Sequence, residues 1–169
     1  MVATDLTRDE AAALARLALD LLDGRDAHLP FDDAVERFPA SAINTRPPNV
    51  DYTPWHLLEH LRISQLDILE YIRDPAYVSP AWPEGYWPAP DTIATKAEFD
   101  RSIDQFRADH AALRALVTRT PDLLAPIPHT PGHSLLREVR LAAAHNAYHL
   151  GEFAILRQVM STWLADRAG

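Results

Sequence analysis

The sequence predicts an all-α fold built as a four-helix bundle, and two observations support this prediction. All 14 prolines lie between Pro30 and Pro131, so they leave four long proline-free runs in the chain. Within each run apolar residues recur at three- and four-residue spacing, and no run alternates with the two-residue period of a strand. A proline inside a helix costs about 3 kcal/mol, so runs of this length are where helices can form.

The first two predicted helices span residues 8–25 and 54–73. Thr7, with Glu10 three residues later, forms a capping box, in which each side chain satisfies a free backbone N–H of the first turn. Thr53 is a helix cap as well. The proline that follows it suits the first helical position, because the N–H that proline lacks would have no partner there.

The other two predicted helices span residues 96–118 and 135–165. Thr95 and Glu98 repeat the capping box of the first helix. Ser134 is the candidate cap of the last helix, because a serine hydroxyl accepts a hydrogen bond from a backbone N–H of the first turn.

Two connections are too long for simple helical hairpins. Residues 26–52 are expected to hold a short helix over 32–38 and then a proline-rich tether, and residues 74–94 are rich in proline and aromatic residues. Long connections inside a compact domain are commonly functional or return the chain to the same end of the fold. In the second case the second and third long helices would run parallel.

Composition narrows the class of protein. The chain, residues 1–169, has a length typical of one domain, and its formal net charge of −8 argues against nucleic-acid binding. It contains no cysteine, which fits a reducing cytoplasm and limits metal ligands to histidine and carboxylates. The first residues lack the pattern of a signal peptide, and no apolar run reaches membrane-spanning length. We therefore expect a soluble cytoplasmic protein without a membrane partner.

A histidine pair in the last predicted helix is the strongest candidate for chemistry. His145 and His149 are four residues apart, so they project from one helix face and can chelate one divalent metal ion. The alternative is a pair of core histidines that are hydrogen-bonded to carboxylates. Small residues before the pair and Gly151 in mid-helix favour a site that needs room or close packing. Glu152 is a candidate partner of an imidazole, a candidate general base, or a solvated carboxylate.

The second predicted helix offers another pair, His56 and His60. With Glu59 they form the His-x-x-Glu-His pattern of inverzincin metalloproteases, but such sites also need a downstream glutamate ligand. His56 lies in the first helical turn, where stacking on a neighbouring ring or exposure to solvent is as plausible as ligation. His60 lies one turn deeper among apolar residues, so we favour His60 as the third ligand.

Residues 53–61, and residues 132–138 together with 145–152, carry a family resemblance. They resemble the second and the last helix of the DinB/YfiT-like superfamily, and the resemblance spans essentially the whole chain. Residues 83–88 resemble one DinB subgroup. The resemblance implies an up-down-down-up four-helix bundle that often forms a homodimer.

The resemblance also implies one divalent metal ion, with nickel or zinc as the main expectation. In the superfamily three histidines hold it, one from the second helix and two from the last. On this chain those residues are His60, His145 and His149. The position of Glu152 is frequently glutamine in similar sequences, so a carboxylate beside the site is a departure from that pattern.

Relatives of this kind include transferases and isomerases that use a low-molecular-weight thiol, and others are described as hydrolases. A three-histidine metal ion with an open position suits both, because it lowers the pKa of a bound thiol or water. We favour a thiol S-transferase acting on a small molecule. A metal-dependent hydrolase and a non-catalytic metal-binding stress protein are the alternatives. Arg137 and Arg140 are candidates for a thiol groove or for plain surface charge, and Glu152 and Asp67 are candidates for the base of a hydrolase.

Apolar residues outside the core stripes predict an interface. They occur within residues 74–94 and at Met160, Trp163 and Leu164. A contiguous exposed apolar patch usually marks a binding surface, and the two-fold homodimer is the commonest closed oligomer. We therefore expect a homodimer.

Overall fold

The computed structural model describes residues 6–24 and 27–163 of the chain. These residues are mostly helical, with five α-helices and one small antiparallel sheet. The elements in chain order are α1 (Arg8–Asp23), α2 (Phe31–Val35), α3 (Pro54–Arg73), α4 (Lys96–Arg119), β1 (Pro126–Ile127), β2 (Thr130–Ser134) and α5 (Leu135–Val159).

The four long helices begin directly after the predicted cap residues. The side chains of Thr7, Thr53, Thr95 and Ser134 each accept a hydrogen bond from the backbone N–H three residues later. In α3 the box is closed by a histidine, because Nδ1 of His56 accepts from the backbone N–H of Thr53. All four predicted helix starts are thereby confirmed.

The predicted ends differ more. The short helix expected over 32–38 is α2, which ends at Val35. The last helix, expected to reach residue 165, ends at Val159, and Met160 is its C-cap, with an N–H that still donates to the carbonyl oxygen of Leu156. The ends expected at residues 25 and 165 lie outside the described residues.

The long helices pack through two hydrophobic clusters. α1 and α3 each contact both α4 and α5. One cluster joins the first halves of α3 and α4 to the second half of α5, with Leu61, Phe99 and Phe153 among its buried residues. The other joins the second halves of α3 and α4 to α1 and the start of α5, with Leu69 and Leu113 buried in it.

Apolar spacing alone misplaced part of the core. In α1 the helical spacing of Leu17 and Leu21 predicts that both are buried, but they are 61% and 50% exposed. Ala18 and Leu22 are buried instead. In α5 the helical spacing of Leu141 and Tyr148 likewise predicts that Tyr148 is buried, but it is 72% exposed. Both helices carry apolar residues on more than one face, so their spacing does not determine which face is inside.

The strands β1 and β2 were not predicted. They form a hairpin immediately before α5, and it buries Ile127 against the second cluster. The segment is rich in proline and histidine and shows no alternation that would indicate strands. Among the described residues, no helix combines the length and the apolar character that crossing a membrane requires.

Candidate metal centre

Three imidazoles converge where α3 packs against α5. His60 comes from α3, and His145 and His149 come from consecutive turns of α5. Nε2 of His60 lies 3.1 Å from Nε2 of His145 and 3.1 Å from Nε2 of His149. One nitrogen from each ring lies within 4.8 Å of the other two, and the described residues contain no other group of three such ligands.

In His60 and His149 the Nδ1 atom, which points away from the centre of the cluster, makes a hydrogen bond. These bonds determine whether Nε2, which points into the cluster, carries a hydrogen or a lone pair. Nδ1 of His60 donates to the carbonyl oxygen of Tyr86 at 2.8 Å, and Nδ1 of His149 donates to Oε2 of Glu152 at 2.7 Å. A neutral imidazole carries one hydrogen, so Nε2 of each ring is bare. Two lone pairs at 3.1 Å repel each other unless a cation lies between them. This donor set therefore fits a divalent metal ion.

The surroundings keep the three rings neutral. Burial lowers the pKa of His60. Burial and the neighbouring imidazoles lower the pKa of His145 to about 4 and that of His149 to about 3. Neutral imidazole is the form that coordinates metals, so the site needs no deprotonation step near neutral pH.

Glu152 lies behind His149 as seen from the centre. Its Oε2 accepts from His149, and its Oε1 accepts a hydrogen bond from the hydroxyl of Tyr52. Burial raises the pKa of this carboxyl group. With both oxygens engaged, Glu152 is placed to orient the imidazole of His149.

The connection between α3 and α4 covers His60. The ring of Trp87 stacks on the imidazole, with the ring centroids 3.9 Å apart and the planes 5° from parallel. The hydroxyl of Tyr86 donates to Oδ2 of Asp67 at 2.8 Å, so Asp67 anchors this connection. The sequence predicted a functional loop here, but no pattern marks a backbone carbonyl such as that of Tyr86 as a partner of His60.

Tyr52 was also missed by the sequence analysis. It directly precedes the cap of α3, and its ring lies 5.5 Å from that of Trp87. Both long connections thus reach the same site, one through Tyr52 and the other through Tyr86 and Trp87. The local sequence around Tyr52 gives no indication of its partner Glu152, which is 100 residues away.

The remaining candidate ligands have other partners. His56 is buried, and its Nε2 donates to the carbonyl oxygen of Thr92 at 3.1 Å while its Nδ1 caps α3. Glu59 pairs with Arg62 and accepts from Ser102. The His-x-x-Glu-His pattern therefore contributes one member, His60, to the cluster.

The two arginines considered for a thiol groove or for surface charge have different surroundings. Arg137 pairs with the buried carboxylate of Glu138 and contacts His133 beside the hairpin. Arg140 is exposed on α5. These contacts favour a structural role for Arg137.

Comparison with known proteins gives one match. The family model described as the DinB superfamily matches residues 30–153, which is more than half of the chain and includes all three histidines. Neither a curated protein nor a solved structure matches the chain significantly.

Proposed function

The chain belongs to the DinB superfamily, and from that premise we propose that it is an enzyme that uses one divalent metal ion. His60, His145 and His149 would hold the ion. The observation that carries this proposal is the approach of the bare Nε2 atoms of His60 and His149 to 3.1 Å. Nickel and zinc are the proposed ions, because imidazole ligands suit both.

The proposed fold is the up-down-down-up four-helix bundle, formed by a single domain over residues 1–169. The clustering of the helix halves supports it. The first halves of α3 and α4 share one cluster and their second halves share the other, which is the pattern of parallel neighbours. α5 contributes its halves in the opposite order, as an antiparallel helix would.

We favour a transferase that uses a low-molecular-weight thiol. A divalent ion held by three neutral imidazoles leaves a coordination position open and lowers the pKa of a thiol or water that reaches it. A hydrolase would in addition need a carboxylate free to take a proton from water. Glu152 already bonds His149 and Tyr52, and Asp67 already bonds Tyr86. Because both oxygens of Glu152, the carboxylate nearer the cluster, are engaged, we favour the thiol route over the hydrolytic one.

The residues of the chain would then have distinct tasks. Glu152 orients His149, and the carbonyl of Tyr86 orients His60. Trp87 covers one face of His60 and keeps water from it. These contacts hold the two imidazoles before any metal or substrate binds, which reduces the ordering cost of binding.

The test begins with metal analysis of the purified protein. The metal-loaded protein is then given a panel of small electrophiles with and without a low-molecular-weight thiol. Conjugation that requires both the thiol and the metal supports the transferase, whereas cleavage without thiol identifies the hydrolase. Full metal loading without turnover across the panel would show a metal-binding protein that is not an enzyme.

We also propose a homodimer, with the outward face of α5 as its interface. Leu141, Tyr148 and Ile155 are exposed there at seven-residue spacing, and Val159 is exposed one turn later. Of the residues first considered, Val78, Trp82 and Ile93 in the connection 74–94 are also exposed. Met160 is partly buried against the first cluster, Trp163 lies over the guanidinium of Arg157, and Leu164 lies outside the described residues. Light scattering at micromolar concentration tests this proposal. A monomer would contradict it, and a dimer that Ile155→Glu dissociates would support this face.

A further inference from the structure

Asp67 connects the loop between α3 and α4 to the helix that carries His60. It lies seven residues after His60, on the same face of α3. The hydroxyl of Tyr86 donates to Oδ2 of Asp67 at 2.8 Å. Burial and the nearby carboxylate raise the pKa of Tyr86, and also that of Tyr77, to about 12. Both phenols therefore keep their protons near neutral pH and can donate to the carboxylate.

Tyr86 has a second bond, which it makes through its backbone. Its carbonyl oxygen accepts from Nδ1 of His60 at 2.8 Å. Tyr86 thus makes hydrogen bonds with both His60 and Asp67, which is seven residues after His60 in α3. The next residue, Trp87, stacks on the same imidazole at 3.9 Å.

The turn that presents Tyr86 is tightly packed. Residues Glu84–Tyr86 form a 3₁₀ turn, and the N–H of Gly85 donates to the carbonyl oxygen of Ala81 at 2.7 Å. A Cβ atom added to Gly85 would lie 2.6 Å from Cβ of Pro80, which is closer than atoms can approach without a shift. The turn is therefore packed as a unit, and the carbonyl of Tyr86 moves with it.

We propose that Tyr86, anchored by Asp67, is a positioning residue that sets the tautomer and ring orientation of His60 for metal binding. This inference rests on the proposed function, in which His60 is a ligand. A carbonyl acceptor at Nδ1 places the hydrogen there and leaves Nε2 free for the metal. The carbonyl belongs to a long loop, so its position depends on the bond that ties the loop to α3.

The experiment compares Tyr86→Phe with Tyr71→Phe as a matched control. Both changes remove one phenol hydroxyl, and Tyr71 bonds His133 at 2.9 Å beside the hairpin. Affinity for Zn²⁺ and Ni²⁺ is measured by competition with a chromophoric chelator, and the tautomer of His60 by ¹⁵N NMR of the metal-free protein. We expect Tyr86→Phe to weaken metal binding by about tenfold or more and to reduce the population protonated at Nδ1. Tyr71→Phe should change neither.

Asp67→Ala separates positioning from charge. Loss of the carboxylate removes the anchor and also a negative charge, whereas Tyr86→Phe removes the anchor alone. If both act through one bond, the double variant weakens metal binding no more than Asp67→Ala does. Additive losses would overturn the proposal, as would a Tyr86→Phe protein with unchanged affinity and an unchanged His60 tautomer.

The NMR measurement also separates this inference from the proposed function. If the wild-type protein bound neither ion, the proposed metal dependence would fail. The tautomer of His60 would still report whether Tyr86 positions the ring. A Tyr86→Phe protein that did not fold, as judged by circular dichroism, would be replaced by Asp67→Ala, which removes the acceptor of the same hydrogen bond, with the same outcomes deciding.

Discussion

Two regions of the molecule concentrate histidines, and they use them differently. Beside the hairpin, Nε2 of His129 donates to the carbonyl oxygen of Tyr71 at 2.9 Å, and Nδ1 of His133 meets the Tyr71 hydroxyl at 2.9 Å. At the centre between α3 and α5, bare nitrogens of His60 and His149 face each other instead. The difference indicates that converging lone pairs, rather than a local abundance of histidine, mark the candidate metal centre.

The carboxylates in the two regions differ in the same way. Glu138 is almost fully buried beside the hairpin, and it pairs with Arg137 and with His133. Glu152 is partly exposed and bonds the ligand candidate His149. We infer that the first carboxylate holds the fold together, whereas the second supports a ligand.

The largest expected difference in metal affinity is between two variants in which one histidine of each region is replaced by alanine. His149→Ala removes one of the three proposed ligands, so metal affinity should fall by more than the roughly 100-fold that loss of a supporting residue can cause. His133→Ala should leave metal affinity unchanged. Calorimetric titration of both proteins with Zn²⁺ and Ni²⁺ measures the contrast. Equal losses in the two variants would show that the centre does not depend on the α5 pair.

The histidines of α5 show how much of the candidate site can be predicted from the sequence. The four-residue spacing of His145 and His149 is a local property, so it predicted a shared face without knowledge of the fold. The choice of His60 over His56 followed from depth along the helix, and the structure places His60 in the cluster and His56 at the helix cap. Caps and proline positions likewise predicted where the long helices begin, because these effects act over a few residues.

The partners of the ligands could not be predicted in this way. Tyr52 reaches Glu152 across 100 residues of sequence, and Tyr86 reaches His60 through a backbone carbonyl. Contacts of this kind depend on how the long connections fold back. Asp67 was one of two candidates for the base of a hydrolase, and its hydrogen bond from Tyr86 could not be predicted from the sequence.

Replacing each of the two carboxylates separately tests whether they have different roles. Glu152→Gln keeps the shape of the side chain but removes the charge that supports His149, so metal affinity should fall by about 10- to 100-fold. Glu138→Gln leaves Arg137 without its buried ionic partner and should lower the free energy of unfolding by about 1–3 kcal/mol. Chelator competition and urea unfolding measure the two quantities. Reversal of the pattern would contradict the division of roles between the regions.

Acid should destabilise the metal-free protein through the metal-centre region. In the folded state the pKa of His145 is about 4 and that of His149 about 3, below the value of 6.5 expected for free histidine. The unfolded chain therefore binds protons first as the pH falls. The free energy of unfolding is therefore highest above about pH 6.5. It falls by a few kcal/mol in total as the pH is lowered towards the folded-state pKa values of the two histidines.

Urea unfolding from pH 7.5 to pH 4 measures this loss in protein stripped of metal. His149→Ala should show a shallower decline than the wild type, because one of the two strongly shifted groups is absent. Burial also lowers the pKa of His56, so part of the slope should remain in the variant. A decline of the same size in both proteins would assign the acid sensitivity to other groups.

The smallest expected effect concerns Gly151, which lies between His149 and Glu152 on α5. The sequence suggested that this glycine allows close packing or access. A Cβ atom added there would meet nothing within 4 Å, so no packing within the described residues requires it. Because glycine in a helix costs about 1 kcal/mol relative to alanine, Gly151→Ala should raise the free energy of unfolding by about 0.5–1 kcal/mol and leave metal affinity unchanged.

Gly85→Ala provides the contrast. Its added Cβ would lie 2.6 Å from Cβ of Pro80, so this substitution should lower the free energy of unfolding. Thermal unfolding at several protein concentrations measures both variants. If Gly151→Ala destabilised the protein more at high concentration than at low, a second copy would have to pack closely on this face of α5, and the open surface at Gly151 would be part of the proposed dimer interface.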